Sequence, residues 1–265
     1  MKKRIIKIGI YFTVFYGLLL ILLHFNQEKV LFFPEKLQAN YQFRTRENVI
    51  EKNIETNDGV KLNGLLFKAK ATKGLVFYLH GNGGSLRSWQ QIAPIYTQLG
   101  YDIFMFDYRG FGKSEGEISS QEQLLNDVET VYRALEKDYP QEKTIIIGYS
   151  LGTGLASYIA SRNKAKLLIL QAPYYSLTDV MNHNYPFLPD FILKYKINTS
   201  NYLEKCQMPI VIFHGKNDKV IYFESSVKLK KRLDEKIQFF PLKNQGHNGI
   251  NYNLRYQEYI NKLFL

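Results

Sequence analysis

Gly148-Tyr-Ser-Leu-Gly152 is the segment of this chain best equipped for nucleophilic chemistry. It follows an apolar run at residues 144–147 and leads into Ala156, Tyr158 and Ile159 at helical spacing. Glycines on both sides permit a tight strand-to-helix turn that holds the Ser150 hydroxyl forward in a strained backbone state. Chance places such a motif in roughly a tenth of chains this long, given ordinary glycine and serine usage. A glycine-rich turn with a serine cap is the plain alternative, so the motif needs company. Serine is a weak nucleophile that requires a base, and the base requires an orienting acid.

Position sorts the five histidines. His24 belongs to an N-terminal apolar run, and His183 lies in an irregular segment without a companion acid. His80 and His214 each precede a glycine at the end of a buried strand, where a structural role in the turn is expected. His247, in Asn-Gln-Gly-His-Asn-Gly, follows the last strand and precedes the final helical pattern. From there it can reach across strand ends to Ser150, although a surface-loop histidine reads the same way on position alone. Asp218 lies just past the strand at 210–213, and its simpler role is to cap the helix that follows. Yet Ser150, Asp218 and His247 sit on successive strand ends in the order that a nucleophile-elbow hydrolase requires. Coincidence of all three is much rarer than of any one.

A tetrahedral intermediate also needs backbone donors. The N–H of Leu151, directly after the nucleophile, is one candidate. The other comes from His80-Gly-Asn-Gly-Gly84 and is assigned to Asn82, with Gly83 as second choice. That turn is not a dinucleotide fingerprint, because Leu86 stands where the third glycine belongs. Asp107 and Arg109, in Asp-Tyr-Arg-Gly-Phe-Gly-Lys-Ser114, are expected to brace a structural turn by bonding to backbone and to each other. No metalloprotease His–Glu pair, Walker loop or carboxylate cluster occurs, so neither a metal nor a cofactor is expected.

These residues must be carried by a sheet. Strands are predicted at 50–56, 62–68, 75–79, 103–106, 144–147, 167–171, 210–213 and 238–240. The middle ones are continuously apolar, as in parallel strands covered on both faces. The clearest helix opens on Ser120-Gln-Glu-Gln123, a capping-box spacing, and carries Leu124, Val128, Val131 and Leu135 before Pro140. A last one keeps Tyr252, Tyr256, Tyr259, Ile260 and Leu263 on one apolar stripe. The alternation predicts an α/β fold: an eight-stranded, mostly parallel sheet with helices on both faces and its ligand site beyond the C-terminal strand ends.

The chain has 265 residues, 45 % of them apolar, enough for one substantial core. The single cysteine, Cys206, excludes an intrachain disulfide and a thiolate metal site. A formal charge of +11 raises nucleic acid as a partner. Its only interior cluster, Lys228, Lys230, Lys231 and Arg232, reads as a solvated helix face, and no nucleic-acid-binding motif accompanies it. No nucleic-acid partner is expected.

Lys2, Lys3, Arg4 and Lys7 precede an uncharged run at residues 8–23 that would span about 24 Å as a helix. With Ile5, Ile6 and Phe25 it approaches the thickness of a bilayer core. Small residues for signal cleavage do not follow the run, which favours an uncleaved anchor over a signal peptide. Division into an anchor at 1–27, a connector at 28–48 and a domain at 49–265 follows, with membrane contact through residues 5–25. The positive-inside rule places the domain on the extracytoplasmic side, although Lys29, Lys36, Arg44 and Arg46 on the far flank oppose it. A composition rich in Lys, Ile, Asn and Tyr points to an AT-rich bacterial genome, hence to the periplasmic face of an inner membrane.

The motifs HGNGG at 80–84, DYRGFGKS at 107–114, GYSLG at 148–152, HGKND at 214–218 and GH at 246–247, with LFFP at 31–34, resemble the α/β-hydrolase superfamily. Within it the chain is similar to membrane-anchored serine hydrolases related to protein depalmitoylases and to the serine aminopeptidase-like group. The resemblance covers nearly everything beyond the anchor and implies acyl-enzyme chemistry on Ser150, with the substrate open. Residues 172–208 are long for a strand-to-helix connection and rich in aromatics. They predict a small lid, in which Tyr174, Tyr175 and Phe187 are candidates to line an apolar acyl pocket for a small-molecule or lipid-like ester or thioester. A peptidase would need an acidic group for the substrate N-terminus, for which the lid offers Asp179 and Asp190. A non-catalytic binding protein is the alternative of another class.

Overall fold

Apolar, β-branched and aromatic runs form the centre of the molecule because each can be covered on both faces. A computed structural model describes residues 1–45 and 48–264. Arg46, one of the charges weighed for orientation, lies outside the described residues.

All eight predicted strands are present in one sheet, with ends within two residues of expectation. In chain order they are β2 (Val49–Glu55), β3 (Lys61–Phe67), β4 (Leu75–Leu79), β6 (Asp102–Phe106), β7 (Thr144–Tyr149), β8 (Leu167–Gln171), β9 (Ile210–Gly215) and β10 (Ile237–Leu242). Their order across the sheet is β10-β9-β8-β7-β4-β6-β3-β2. β2 and β3 are antiparallel to their neighbours, and the six others run parallel. Two further two-residue strands escaped the sequence: β1 (Phe33–Pro34) and β5 (Gly83–Gly84) pair with each other.

Alternating side chains feed two cores, one on each face of the sheet. Phe77, Phe104, Ile146, Leu168 and Ile212 point to one face, and Val76, Met105, Ile147, Ile169 and Val211 to the other. Fully burying one such side chain contributes about 1.5–3 kcal/mol. The predicted capped helix is Gln121–Glu136, with Ser120 Oγ accepting from Gln123 N–H. The Gln123 side chain reaches back one residue further than a capping box requires and accepts from Ser119 N–H at 2.9 Å. The terminal helix is Leu254–Leu263.

Residues 2–25 form one helix, Lys2–Phe25, with no buried residue, long and apolar enough to cross a membrane. A short helix, Gln27–Leu31, follows. The expected connector is not a free tether. Gly112 N–H donates to Glu35 C=O at 2.8 Å, Leu37 N–H to Gly112 C=O at 2.9 Å, and Phe43 packs against one core. The Asp107–Arg109 pair is corrected as well. Arg109 is buried between Asp127 (Nε–Oδ2 2.5 Å) and Asp58 (Nη2–Oδ1 2.6 Å), whereas Asp107 accepts from Leu86 N–H at 2.9 Å. Asp107 reaches toward Gly112, whose missing Cβ leaves room for its Oδ2, while Arg109 turns the other way to Asp127 and Asp58.

Candidate active site

Three strand ends converge here. Between β7 and the helix Leu151–Ala160 stands Ser150, at φ 51° and ψ −116°. A non-glycine residue at such a positive φ is held against its own preference, a strain found at functional turns. The flanking glycines leave room for it. A Cβ at Gly152 would lie 2.1 Å from the Leu79 carbonyl oxygen, and one at Gly148 would lie 2.4 Å from the Gly152 carbonyl oxygen. Ser150 N–H donates to Gln171 C=O at 2.9 Å, which fixes the turn to the top of β8. The side chain is not openly exposed as the motif suggested. Ser150 keeps only 6 % of its exposure, beneath the 80–84 turn, where a Cβ at Gly81 would sit 3.6 Å from Ser150 Cβ.

Past β9, Asp218 is buried. Its Oδ1 accepts from the N–H groups of Val220 (2.8 Å) and Ile221 (2.9 Å). Its Oδ2 lies 2.7 Å from His247 Nδ1 and 3.2 Å from His214 Nε2. Burial by itself raises this carboxyl. Hydrogen bonds from His214, His247 and the Val220 N–H outweigh it and hold the group well below the usual carboxylate range. The helix-cap role considered for Asp218 is not taken up: the next helix, Glu224–Arg232, has Phe223 at its N-cap and no side-chain cap, and Asp218 Oδ1 instead closes the turn at Val220 and Ile221 while Oδ2 faces His247. His247 Nε2 lies 3.0 Å from Ser150 Oγ, completing an acid–base–hydroxyl chain. The sequence brought these three side chains together on paper, and the structure brings them within hydrogen-bond distance.

The loop that carries His247 is braced on both sides. Tyr149, inside the Gly-Tyr-Ser segment, donates its hydroxyl to the His247 carbonyl. Downstream, buried Asn251 ties the loop to the sheet. Its Oδ1 accepts from Gln171 Nε2 (2.8 Å) and Tyr96 OH (3.1 Å), and its Nδ2 donates to Tyr78 OH (3.1 Å). Neither residue was singled out from sequence, since a tyrosine and an asparagine carry no motif. Only the spacing of Tyr149 beside the serine was a usable signal.

The 80–84 turn is held from outside the sheet. Phe33 N–H donates to the Asn82 carbonyl at 2.9 Å, and Asn82 Nδ2 to the Leu31 carbonyl at 2.9 Å. Ser85 Oγ donates to Glu35 at 2.7 Å. Among the described residues, the N–H groups of Asn82 and Leu151 donate to no protein acceptor. His80 is buried, and desolvation pushes its ring down to about 4, so it stays neutral at neutral pH as a wedge between Trp89 and Tyr108. His214, held by Ser226 Oγ and the Ile221 carbonyl, is structural as expected and also touches the acid.

The pocket residues fare differently. Tyr174 is fully buried, with its hydroxyl on the Leu151 carbonyl at 3.2 Å, so it packs in the core and lines no open pocket. Tyr175 is half-buried, and its hydroxyl accepts from Arg232. Phe187 is exposed beside the N-terminal helix, where the Tyr16 hydroxyl meets its carbonyl. The apolar cavity is elsewhere. It measures about 150 Å³ and lies between the helix Leu177–Asn184 and the end of the N-terminal helix, against Leu23, Val30, Leu31, Met181 and Leu188. A second cleft of about 230 Å³, edged by Trp89, Tyr149, Asn248 and Tyr252, adjoins the His247 loop.

Comparison with known proteins agrees with this architecture. Residues 70–200 match a family model described as Hydrolase_4, serine aminopeptidase, S33. The chain is 27 % identical over 235 residues to human alpha/beta hydrolase domain-containing protein 17B, covering 85 % of this chain and 78 % of that one. It is 29 % identical over 233 residues to alpha/beta hydrolase domain-containing protein 17C of Xenopus tropicalis, covering 83 % and 72 %. Among solved structures, a Pyrococcus furiosus esterase superposes with a TM-score of 0.71 at 20 % identity, over 89 % of this chain and 96 % of that one.

Proposed function

Since this chain is a member of the α/β-hydrolase superfamily, we propose that it is a serine hydrolase cleaving carboxylic esters or thioesters with an apolar acyl group. The reading is carried by the relay Asp218 Oδ2–His247 Nδ1 at 2.7 Å and His247 Nε2–Ser150 Oγ at 3.0 Å, ending on a serine at φ 51°. His247 Nε2 takes the Ser150 proton as Oγ attacks the acyl carbon. The oxyanion forms against the free N–H groups of Leu151 and Asn82, and His247 returns the proton to the leaving group. Water activated by His247 then releases the acid. Asp218, kept ionised by its hydrogen bonds, fixes the imidazole with Nε2 facing the serine and stabilises the imidazolium.

The apolar cavity supports the acyl preference, because Leu31 on its wall is bonded to Asn82 in the oxyanion turn. The helix Lys2–Phe25 is read as a membrane anchor, with the hydrolase domain on the side opposite the basic N-terminal cluster. The family model's description favours a second reading, an aminopeptidase on the same triad. Of its two candidate anchors for a substrate amine, Asp179 is already held by Lys228 Nζ at 2.6 Å and by the Tyr222 hydroxyl, and Asp190 is exposed. Turnover of nitrophenyl esters from acetyl to palmitoyl tests the proposal. We expect kcat/KM to rise with chain length, at least tenfold from acetyl to octanoyl; hydrolysis restricted to acetyl, or to aminoacyl nitroanilides, would refute it.

A further inference from the structure

The segment between His183 and Lys194 descends along the N-terminal helix. At its upper end the Ile192 carbonyl accepts from Gln27 Nε2 at 2.6 Å and lies 2.9 Å from His24 Nδ1, level with the end of that helix. Lower down, the Phe187 carbonyl is met by the hydroxyl of Tyr16, which lies nine residues, or about 14 Å, before Phe25. Between these points Leu188, Leu20 and Leu23 pack against the same cluster of Met181, Ile192 and Leu193. Tyr16 falls in the middle of the uncharged run 8–23, so the tip of the loop lies beside that run and not beyond its end.

The loop's composition follows the same gradient. Tyr185, Phe187 and Phe191 are 54 %, 62 % and 74 % exposed, a grouping of bare aromatics that a water-facing lid avoids. Pro186 and Pro189 remove two backbone N–H donors that a non-polar medium would leave unsatisfied. Asp190, the one charge between His183 and Lys194, sits two residues from Ile192, at the height where the helix ends. The Glu28–Lys194 pair, at 3.1 Å, stands beyond it. Charge is thus confined to the end of the helix, and aromatic surface to its flank.

Resting on the reading of Lys2–Phe25 as a membrane helix, we propose that residues 185–191 dip into the leaflet which that helix crosses. Headgroups then lie near Asp190 and His24, and Phe187 reaches the acyl region. The cavity between Leu23, Leu188 and Leu31 consequently borders the bilayer on one side, and on the other Leu31 links its wall, through the Leu31 carbonyl, to Asn82 of the oxyanion turn. It takes one acyl chain of a bilayer-resident ester directly from the hydrocarbon, without passage through water. The helix and the loop together form its wall, so the membrane segment is part of the acyl site.

Full-length protein carrying a nitroxide on Phe187→Cys, Phe191→Cys, Leu18→Cys or Asp234→Cys, reconstituted in phosphatidylcholine–phosphatidylglycerol vesicles, tests this by oxygen against nickel-chelate accessibility. Cys206 stays in place, buried and with its thiol pushed up to about 12 by desolvation. We expect the labels at 187 and 18 to favour oxygen, 191 to be intermediate, and 234, at the opposite end of the sheet, to favour the chelate. A chelate-accessible 187 beside a lipid-embedded 18 overturns the insertion, and an aqueous 18 overturns the membrane helix and the insertion with it. Met181→Trp, which fills the cavity, is expected to cut the ratio of palmitoyl to acetyl ester turnover at least tenfold. An unchanged ratio in folded protein overturns the acyl assignment of the cavity.

Discussion

The C-terminal ends of the strands and the seam between the N-terminal helix and residues 172–208 are built by opposite means. At the strand ends, position is imposed by directional contacts: carboxylate to imidazole, tyrosine to carbonyl, and an asparagine with three buried partners. Three glycines there, Gly148, Gly152 and Gly215, have a carbonyl oxygen within 2.5 Å of where a Cβ would go. At the seam, Leu20, Leu23, Met181, Ile192 and Leu193 pack without direction, assisted by a few polar contacts at the helix end. Chemistry requires atoms held to fractions of an ångström, whereas a cavity for an alkyl chain requires only volume and apolarity. The difference teaches that substitutions at the strand ends cost activity steeply, while the seam tolerates exchange among apolar residues.

The comparison can be broken most forcefully at the acid. Asp218→Asn is expected to lower kcat by about 10³–10⁴-fold, because the amide favours the imidazole tautomer that cannot accept the serine proton. Steady-state kinetics on a soluble ester measures it, and a loss below tenfold would mean that His247 is oriented by other groups. Next in size is Asn251→Ala, which leaves Gln171 Nε2 without its buried acceptor, while Tyr96 keeps Tyr256 and Tyr78 keeps Gln171 Oε1. An unsatisfied buried group costs about 1–3 kcal/mol, so chemical denaturation should show a loss of stability of at least about 1 kcal/mol. Retained stability would show that water replaces the amide. The smallest effect belongs to the seam: Glu28→Gln removes a half-exposed pair with Lys194 and should cost less than about 1 kcal/mol. A larger loss would mark the seam as directional after all.

Legibility in the sequence follows the same division. The six parallel strands could be read because buried parallel strands are continuously apolar, and the two antiparallel ones, β2 and β3, from short apolar-containing runs set apart from the amphipathic helices. The juxtaposition of Ser150, Asp218 and His247 could be read because they are the types that the proposed chemistry demands, in the order that the topology demands. β1 and β5 could not, since two residues carry no period. Their pairing depends on Phe33 N–H finding the Asn82 carbonyl across fifty residues. The Asp107–Arg109 pair was misread because closeness in sequence says nothing about side-chain direction: Asp107 finds Leu86 N–H and Arg109 finds Asp127 and Asp58. Among the lid aromatics, type alone did not separate buried Tyr174 from exposed Phe187. Each is equally suited to a core or a pocket, and the position of Gly154, whose missing Cβ leaves room for the Tyr174 hydroxyl, decides the first.

The central claim is that Ser150 is an activated nucleophile served by His247. Labelling of purified full-length protein with a fluorophosphonate probe tests it most directly, with Ser150→Ala and His247→Ala as comparisons and circular dichroism as a check of folding. The account predicts strong labelling of the wild type, none of Ser150→Ala, and at least a thousandfold slower labelling of His247→Ala, consistent with the cost of losing the base in such triads. An unlabelled, well-folded wild type, or undiminished labelling of Ser150→Ala, would contradict it.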